Sequence, residues 1–502
     1  MEREYRVETD ALGEMLVPAD AYYGAHTARA LHCFPVSRLR FPRPFIWALG
    51  LIKKHAAITN GRLGLLPQRI AQAIQHAAQE VVEGRWDEQF VVDIFQTASG
   101  TSVNMNANEV IAHRATELLG GKLGEKLVHP NDHVNCGQSS NDVIPTAVQM
   151  AALDGIVHQV IPALNELHTV LDRKAREFHE VLTIARTHLQ DAAPIRLGQE
   201  FSGYAAQIEH AVDRLWNVEE SLGALPLGGT AVGTGFNTHP EFAKLTIAGI
   251  ASETGLALEE TRNHFHAQSN LDALVEASGA LRSVAVSLIK IANDLRWLGS
   301  SARSGLGEIK LPAATPGTAT LPGKINPVLC ETVIKVGIQV MGCDAAVTAA
   351  GLFGEFQLNT MVSVAAYNLL LSIDLLAAAA RAFARHCVAG IEADRQRCAE
   401  ILNRSLALCA PLAPVLGHDK ATQIARIAQE EGRTVREVAL EISGLSAEQL
   451  DALLDPRRQT EPGSAVVPVP GAGGASGGGS SPATSPAAGP GSPPLPHSST
   501  GS

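Results

Sequence analysis

Apolar positions return at helical spacing through the middle of this chain and predict a set of long helices lying side by side. Residues 268–298 contain no proline, and Leu274, Leu281, Leu288 and Leu295 recur every seventh position with Ala277, Ala285 and Ala292 nearby. That run predicts one long buried helix of about 45 Å at 1.5 Å per residue. Phe201, Tyr204, Ile208, Val212, Leu215 and Val218 step by three and four and predict a second. Residues 163–175, 327–341 and 362–386 supply three more. The expected fold is mostly α, with a central long five-helix bundle. Alanine on the helix faces allows close approach, and the surplus of apolar faces implies burial against other subunits. An N-terminal domain over 1–138, the central bundle over 139–393 and a small helical domain over 394–455 are expected in that order.

After Pro456 the pattern collapses. Residues 456–502 are rich in Pro, Gly and Ser and nearly devoid of large apolar side chains after Val469, so a disordered tail without catalytic residues is expected there. The 502 residues exceed a single ordinary core, and a hydrophobic share of 45% with only 4% aromatics suits extended packing of aliphatic helices. A net charge of −11 argues against nucleic acid as a partner and requires any acidic ligand to be drawn in by local donors. The N-terminus has neither a secretory apolar core nor a transit-peptide composition, and no apolar run is expected to reach membrane-spanning length, so no membrane partner is expected. Seven scattered cysteines without a Cys-x-x-Cys pair fit reduced thiols in a cytoplasm. Cys136 and Cys330 lie beside the motifs below and read as small packing residues rather than reactive thiols.

Residues 317–327, GTATLPGKINP, place flexible, hydroxyl-bearing, cationic and helix-starting residues within one short loop. Gly317 and Gly323 free the backbone, Thr318 and Thr320 offer hydroxyls, and Lys324 supplies a point charge for a carboxylate. Asn326 and Pro327 read as N-cap and first helical residue, which would aim free N–H groups at the same spot. The loop reads as a mobile anion-binding lid or as an ordinary glycine-rich connection. Three further segments are dense in small hydrogen-bonding side chains: QTASGTSVNMN at 96–106, HPNDHVN at 129–135 leading into QSSND at 138–142, and RTHLQD at 186–191. Such groups suit carboxylate oxygens better than an apolar ligand. The glycine-rich stretch at 226–238 has neither Walker spacing nor a following lysine, which makes it a weak phosphate-loop signal. No metal-ligand spacing is present.

Taken together, these four motifs resemble the aspartase/fumarase superfamily, and the resemblance runs from about Tyr22 to Asp455. It implies a homotetramer whose bundles pack together, active sites shared between subunits, no cofactor and a small dicarboxylate substrate. By position Thr318 matches the serine that acts as catalytic base in the family, while Ala319 and Leu321 replace a second serine and a methionine. His188, paired with Glu331, matches the group that handles the leaving substituent or activates water. The resemblance assigns Lys324 and Asn326 to one substrate carboxylate, and Ser99, Gly100, Thr101, Ser139, Ser140, Asn141 and Thr187 to the remainder of the substrate. His129 and Asn131 match an accessory dicarboxylate pocket, and 226–238 resembles a family segment close to the site. QSSND, RSGLGE at 303–308 and GHDKA at 417–421 stand closer to class II fumarases, which makes fumarate hydration the leading expectation. Ala98, Ser102, Thr318 and Ala319 keep a C–N lyase acting on aspartate or an N-substituted or nitro-bearing succinate as an alternative. A non-catalytic dicarboxylate-binding homologue is a second alternative.

Overall fold

The computed structural model describes residues 4–97, 99–301, 303–317, 321 and 323–462. Two compact units divide at Leu408/Cys409. The first opens with a hairpin of β1 (Tyr5–Asp10) and β2 (Gly13–Pro18), followed by α1 (Ala25–Cys33), α2 (Arg43–Arg62), α3 (Gln68–Val82) and α4 (Thr101–Leu118). Next come α5 (Ser140–Gly155), α6 (Ile161–Glu177), the hairpin of β3 (Leu182–Thr187) and β4 (Gln190–Arg196), α7 (Leu197–Trp216), α8 (Glu219–Gly223), α9 (Phe242–Thr254) and α10 (His264–Ser269). It ends with α11 (Asp272–Leu298), α12 (Val328–Gly351), α13 (Val362–His386) and α14 (Arg395–Arg404). Among its described residues the second unit holds four α-helices: α15 (Ala413–Leu416), α16 (His418–Glu431), α17 (Val435–Ile442) and α18 (Ala447–Leu454). Capping boxes at Thr434 and Ser446 start the last two, each satisfying two end donors.

The mostly α bundle is present, with the heptad leucines of α11 and the apolar face of α7 buried. Three boundaries differ from the expected ones. Helix α11 starts at Asp272, because Asn270 is extended and closes the separate short helix α10. Helix α12 starts at Val328 with Pro327 as its N-cap, one residue later than expected, and runs on to Gly351. Helices α5 and α6 form one 38-residue helix, joined by a π turn at Ile156–Val160. Pro162 follows that turn; its missing N–H and its ring, which would strike the carbonyl four residues back, account for the widened turn.

That long helix, roughly 57 Å at 1.5 Å per residue, sets the distance between the two ends of the bundle. At the Ser140 end, the Asp142 carboxylate accepts from Gly228 and Thr230, and Gln268 donates to the Thr230 carbonyl just ahead of α11. At the Glu177 end, Lys174 donates to the Ile391 carbonyl, the Cys330 and Cys387 sulfurs lie 3.9 Å apart, and Thr183 donates to Glu308 at 2.6 Å. The start of α12, the end of α13 and the β3–β4 hairpin therefore share one end, and the starts of α5 and α11 share the other.

The expectation that no apolar run reaches membrane-spanning length is corrected. Ser140–Glu177, Val328–Gly351 and Val362–Gly390 are long and apolar enough to cross a membrane by length and composition. Their hydropathy comes from core positions of the bundle: the most apolar windows of the first and third are 72% and 61% buried. The window in α12 is only 39% buried, which leaves Ile338 and Met341 exposed along its outer face.

Candidate active site

The first cluster forms where α4 and α5 begin. Gly100 precedes α4 with φ of 73°, in the left-handed region, and a Cβ there would lie 3.0 Å from Ile144, so the turn requires glycine. That turn brings the Ser99, Thr101 and Ser140 hydroxyls into a triangle with edges of 2.9, 3.3 and 3.0 Å. Each hydroxyl can rotate to donate outwards, so the triangle offers donors to a carboxylate. Asn141 stands beside it, anchored by its side-chain donation to the Ala231 carbonyl at 2.8 Å. Ser139 serves the helix start instead. Its hydroxyl accepts from Asn141 N, while Asp142 accepts from Ser139 N, closing a capping box.

Asp142 is a residue that sequence reasoning passed over. Burial pushes its carboxyl above the usual carboxylate range, and N–H donations from Ser139, Gly228 and Thr230, with the charge of Lys53, oppose that rise. The same donations settle the stretch at 226–238. Its Gly228 and Thr230 amides are already spent on Asp142, so they are not a phosphate cradle, and the segment instead frames Asn141.

Lys53 was likewise missed. It is fully buried in α2 and donates to the side-chain oxygens of Asn104 at 2.8 Å, Asn135 at 3.1 Å and Gln138 at 2.9 Å. The available signal was position: Leu49, Ala56 and Ala57, four before and three and four after it, are buried on the same helical face.

The second cluster lies at the other end of the bundle. His188 and Leu189 are the two central residues of the β3–β4 turn, with φ of 55° and 60°, and Thr187 pairs directly with Gln190. Two-residue hairpins of this kind favour Asn-Gly, and a non-glycine residue held at positive φ costs on the order of 1–3 kcal/mol. Strain of this sort concentrates at functional sites, which singles out His188 more sharply than its motif does. The hairpin base is rigid: Arg186 pairs with the fully buried Glu308 at 2.6 Å, and Thr183 donates to the other oxygen of that carboxylate. Thr187 and His188 are exposed at the tip. Lys324 is exposed and Asn326 half-buried just ahead of α12, with Glu331 half-buried in its first turn. Among the described residues no hydrogen bond joins His188 to Glu331 within the chain.

A single chain therefore does not bring the expected site together. Ser99, Gly100, Thr101, Ser139, Ser140 and Asn141 gather at one end, and Thr187, His188, Lys324, Asn326 and Glu331 belong to the other. The six residues of β3 span only about 20 Å, too little to return His188 across the bundle. Thr318 lies outside the described residues. His129 caps a π turn over Pro130–Val134, its Nδ1 accepting from the Asn131 and Asp132 amides, and it lines with Asn131 a separate cavity of about 360 Å³. Glu8, Asp10 and Glu109 face that cavity with Lys126, a balance of charges poorly suited to a dianion.

The chain is similar to a family of lyases over residues 13–342 and to the fumarase C C-terminal family over residues 408–461. It is 53% identical to a class II fumarate hydratase of Halobacterium salinarum, over 92% of this chain and 98% of that protein. A class II fumarate hydratase of Bradyrhizobium diazoefficiens is 50% identical, over 91% of this chain and 97% of its own length. Among solved structures, the class II fumarase of Schistosoma mansoni superposes with a TM-score of 0.88 at 37% identity, covering 92% of this chain and 100% of that one.

Proposed function

Because this chain belongs to the aspartase/fumarase superfamily, on its class II fumarase branch, we propose that it is a lyase catalysing the reversible hydration of fumarate to malate. The observation that carries this is the near full-length identity of about half with two class II fumarate hydratases. The donor-rich triangle of Ser99, Thr101 and Ser140 suits the carboxylate of such a substrate. In the dehydration direction a proton leaves carbon beside a carboxylate, and the resulting doubly charged aci-carboxylate needs donors already in place. Ser99, Gly100, Thr101, Ser140 and Asn141 would supply them on one side, Lys324 and Asn326 on the other. Thr318 would take the proton, and His188, oriented by Glu331, would protonate the departing hydroxyl. Ser139 would act through its cap. His129 and Asn131 would form an accessory pocket, which the neighbouring carboxylates leave weak.

We further propose a homotetramer in which each site combines segments from different subunits. The separation of the two clusters by the length of a 38-residue helix supports it, as do the exposed Leu352, Phe353 and Phe356 at the end of α12, the last 91% exposed. A cytoplasmic setting is supported by seven cysteines without a disulfide among them. As a functional division we keep 1–138, 139–393, 394–455 and the tail 456–502, of which residues 463–502 lie outside the described residues.

The test is the ultraviolet absorbance of fumarate, followed with malate and then with aspartate as substrate. Fumarate formed from malate but not from aspartate is expected. Fumarate formed from aspartate alone would replace hydration with C–N elimination, and no product from either would leave a lyase of an N-substituted or nitro-bearing succinate or a binding protein. Lys324→Ala is expected to raise KM for malate about ten- to a hundredfold, the range for a hydrogen bond to a charged group. Unchanged steady-state kinetics would remove Lys324 from the carboxylate site.

A further inference from the structure

We infer that a cavity walled by α5, α8, α10 and the start of α11 is a binding site for a short alkyl diamine. It measures about 190 Å³, and none of the residues lining it has a part in the proposed hydration. Pro145, Ala267, Leu271 and Leu274 give it apolar walls. Its one buried polar lining residue among those described is Gln149, which is 5% exposed.

The orientation of Gln149 is fixed by α8. Its side-chain nitrogen donates to the carbonyls of Ser221 at 3.3 Å, Leu222 at 3.2 Å and Ala224 at 3.0 Å. Reversed, the amide would set its oxygen against three carbonyl oxygens, so the oxygen must turn away from α8 and toward the cavity that Gln149 lines. Among the described residues nothing donates to it. A buried acceptor in that position calls for a donor from a ligand.

The other polar groups of the cavity do not supply one. The Ser221 hydroxyl donates to the Val218 carbonyl, the Thr261 hydroxyl to the Asn263 carbonyl and the Asn270 amide to the His266 carbonyl, while His266 and Asp272 pair with each other at 2.9 Å. Glu276 is left without an ion pair among the described residues. It also lines an adjoining cavity of about 320 Å³, where Glu220, Glu259 and Glu276 stand against one cation, Arg262. The unmet polarity is thus an amide oxygen inside and carboxylates outside, with apolar walls between. Only acceptors are on offer. A ligand that matches them carries hydrogens and positive charge at both ends and methylenes in the middle, which is an alkyl diamine in its diammonium form.

The experiment titrates putrescine into the full-length protein by calorimetry at low ionic strength, where exposed carboxylates are least screened. Butylamine and butanediol are the comparators. One putrescine per chain is expected, with butylamine about fivefold weaker for want of the outer ammonium, the upper range for an exposed ion pair. Butanediol, which carries no charge, should bind more weakly than either amine. Glu276→Gln should bring putrescine close to butylamine and leave butylamine unchanged. Gln149→Met removes the inner acceptor and should weaken both amines about tenfold or more, as for a lost hydrogen bond to a charged group. Where that variant loses its fold, since Gln149 also ties α5 to the carbonyls of α8, Glu276→Gln decides alone. The inference is overturned if neither amine binds the parent, if butanediol binds as well as putrescine, or if Glu276→Gln keeps the parental ratio of putrescine to butylamine. A folded Gln149→Met that binds both amines like the parent overturns it equally.

Discussion

Replacing Thr318 by alanine should abolish interconversion of malate and fumarate, while replacing it by serine should retain or raise the rate. The carbon acid beside a carboxylate is weak, and Thr318 would have to act as its alkoxide to meet it. An alcohol hydroxyl is a far weaker acid than any ordinary acidic side chain, and at about 1.36 kcal/mol per unit bringing it near neutral takes more than any single hydrogen bond supplies. A closed loop of aligned N–H dipoles is needed, and the loop at 317–327 has the glycines to form one. Threonine presents the same oxygen as serine but adds a methyl that restricts χ1 and would demand space in a tightly closed loop. Serine removes that restriction. Succinate should still bind the alanine variant, since Lys324, Asn326 and the hydroxyl triangle remain. Parental turnover by Thr318→Ala would show that another group takes the proton.

How far the sequence speaks depends on whether a feature is local. The α11 heptad and the three-and-four face of α7 are one-dimensional patterns, and the buried leucines and the Phe201–Val218 face follow them. The ends were less legible. Asn270 closes α10 and delays α11, and Pro162 follows a π turn that joins α5 to α6 without breaking the run, because that turn absorbs the lost hydrogen bond. The polar motifs were found as strings, yet their roles depend on partners far along the chain. Asp142 reads as part of QSSND but serves a segment more than eighty residues later. Lys53 sits next to Lys54, which does pair with Glu253, and only the buried face it occupies separates the two lysines. The strain at His188 was invisible because nothing in RTHLQD announces a two-residue turn without glycine.

The consequence of the bundle's length can be tested by mixing two inactive proteins. His188→Asn removes the group expected to move a proton, at a cost of at least about a hundredfold. Ser140→Ala removes one oriented donor from the triangle, a loss of the order of a hundredfold or more where such donors face developing charge. Within one chain these residues are separated by the helix from Ser140 to Glu177, so the proposed site would draw them from different copies. When the two variants are denatured together, mixed in equal amounts and refolded, some sites receive His188 from the Ser140→Ala chain and Ser140 from the His188→Asn chain. With random assembly and two contributing chains per site, roughly a quarter of the sites are intact. The mixture should therefore recover about a quarter of parental activity from two preparations that each have almost none. A double variant carrying both substitutions on one chain, mixed with the parent, gives the control, since its intact sites arise only between parental chains. If verified mixed oligomers of the single variants stay inactive, the two clusters do not meet across subunits, and a site confined to one end of the bundle would have to account for turnover.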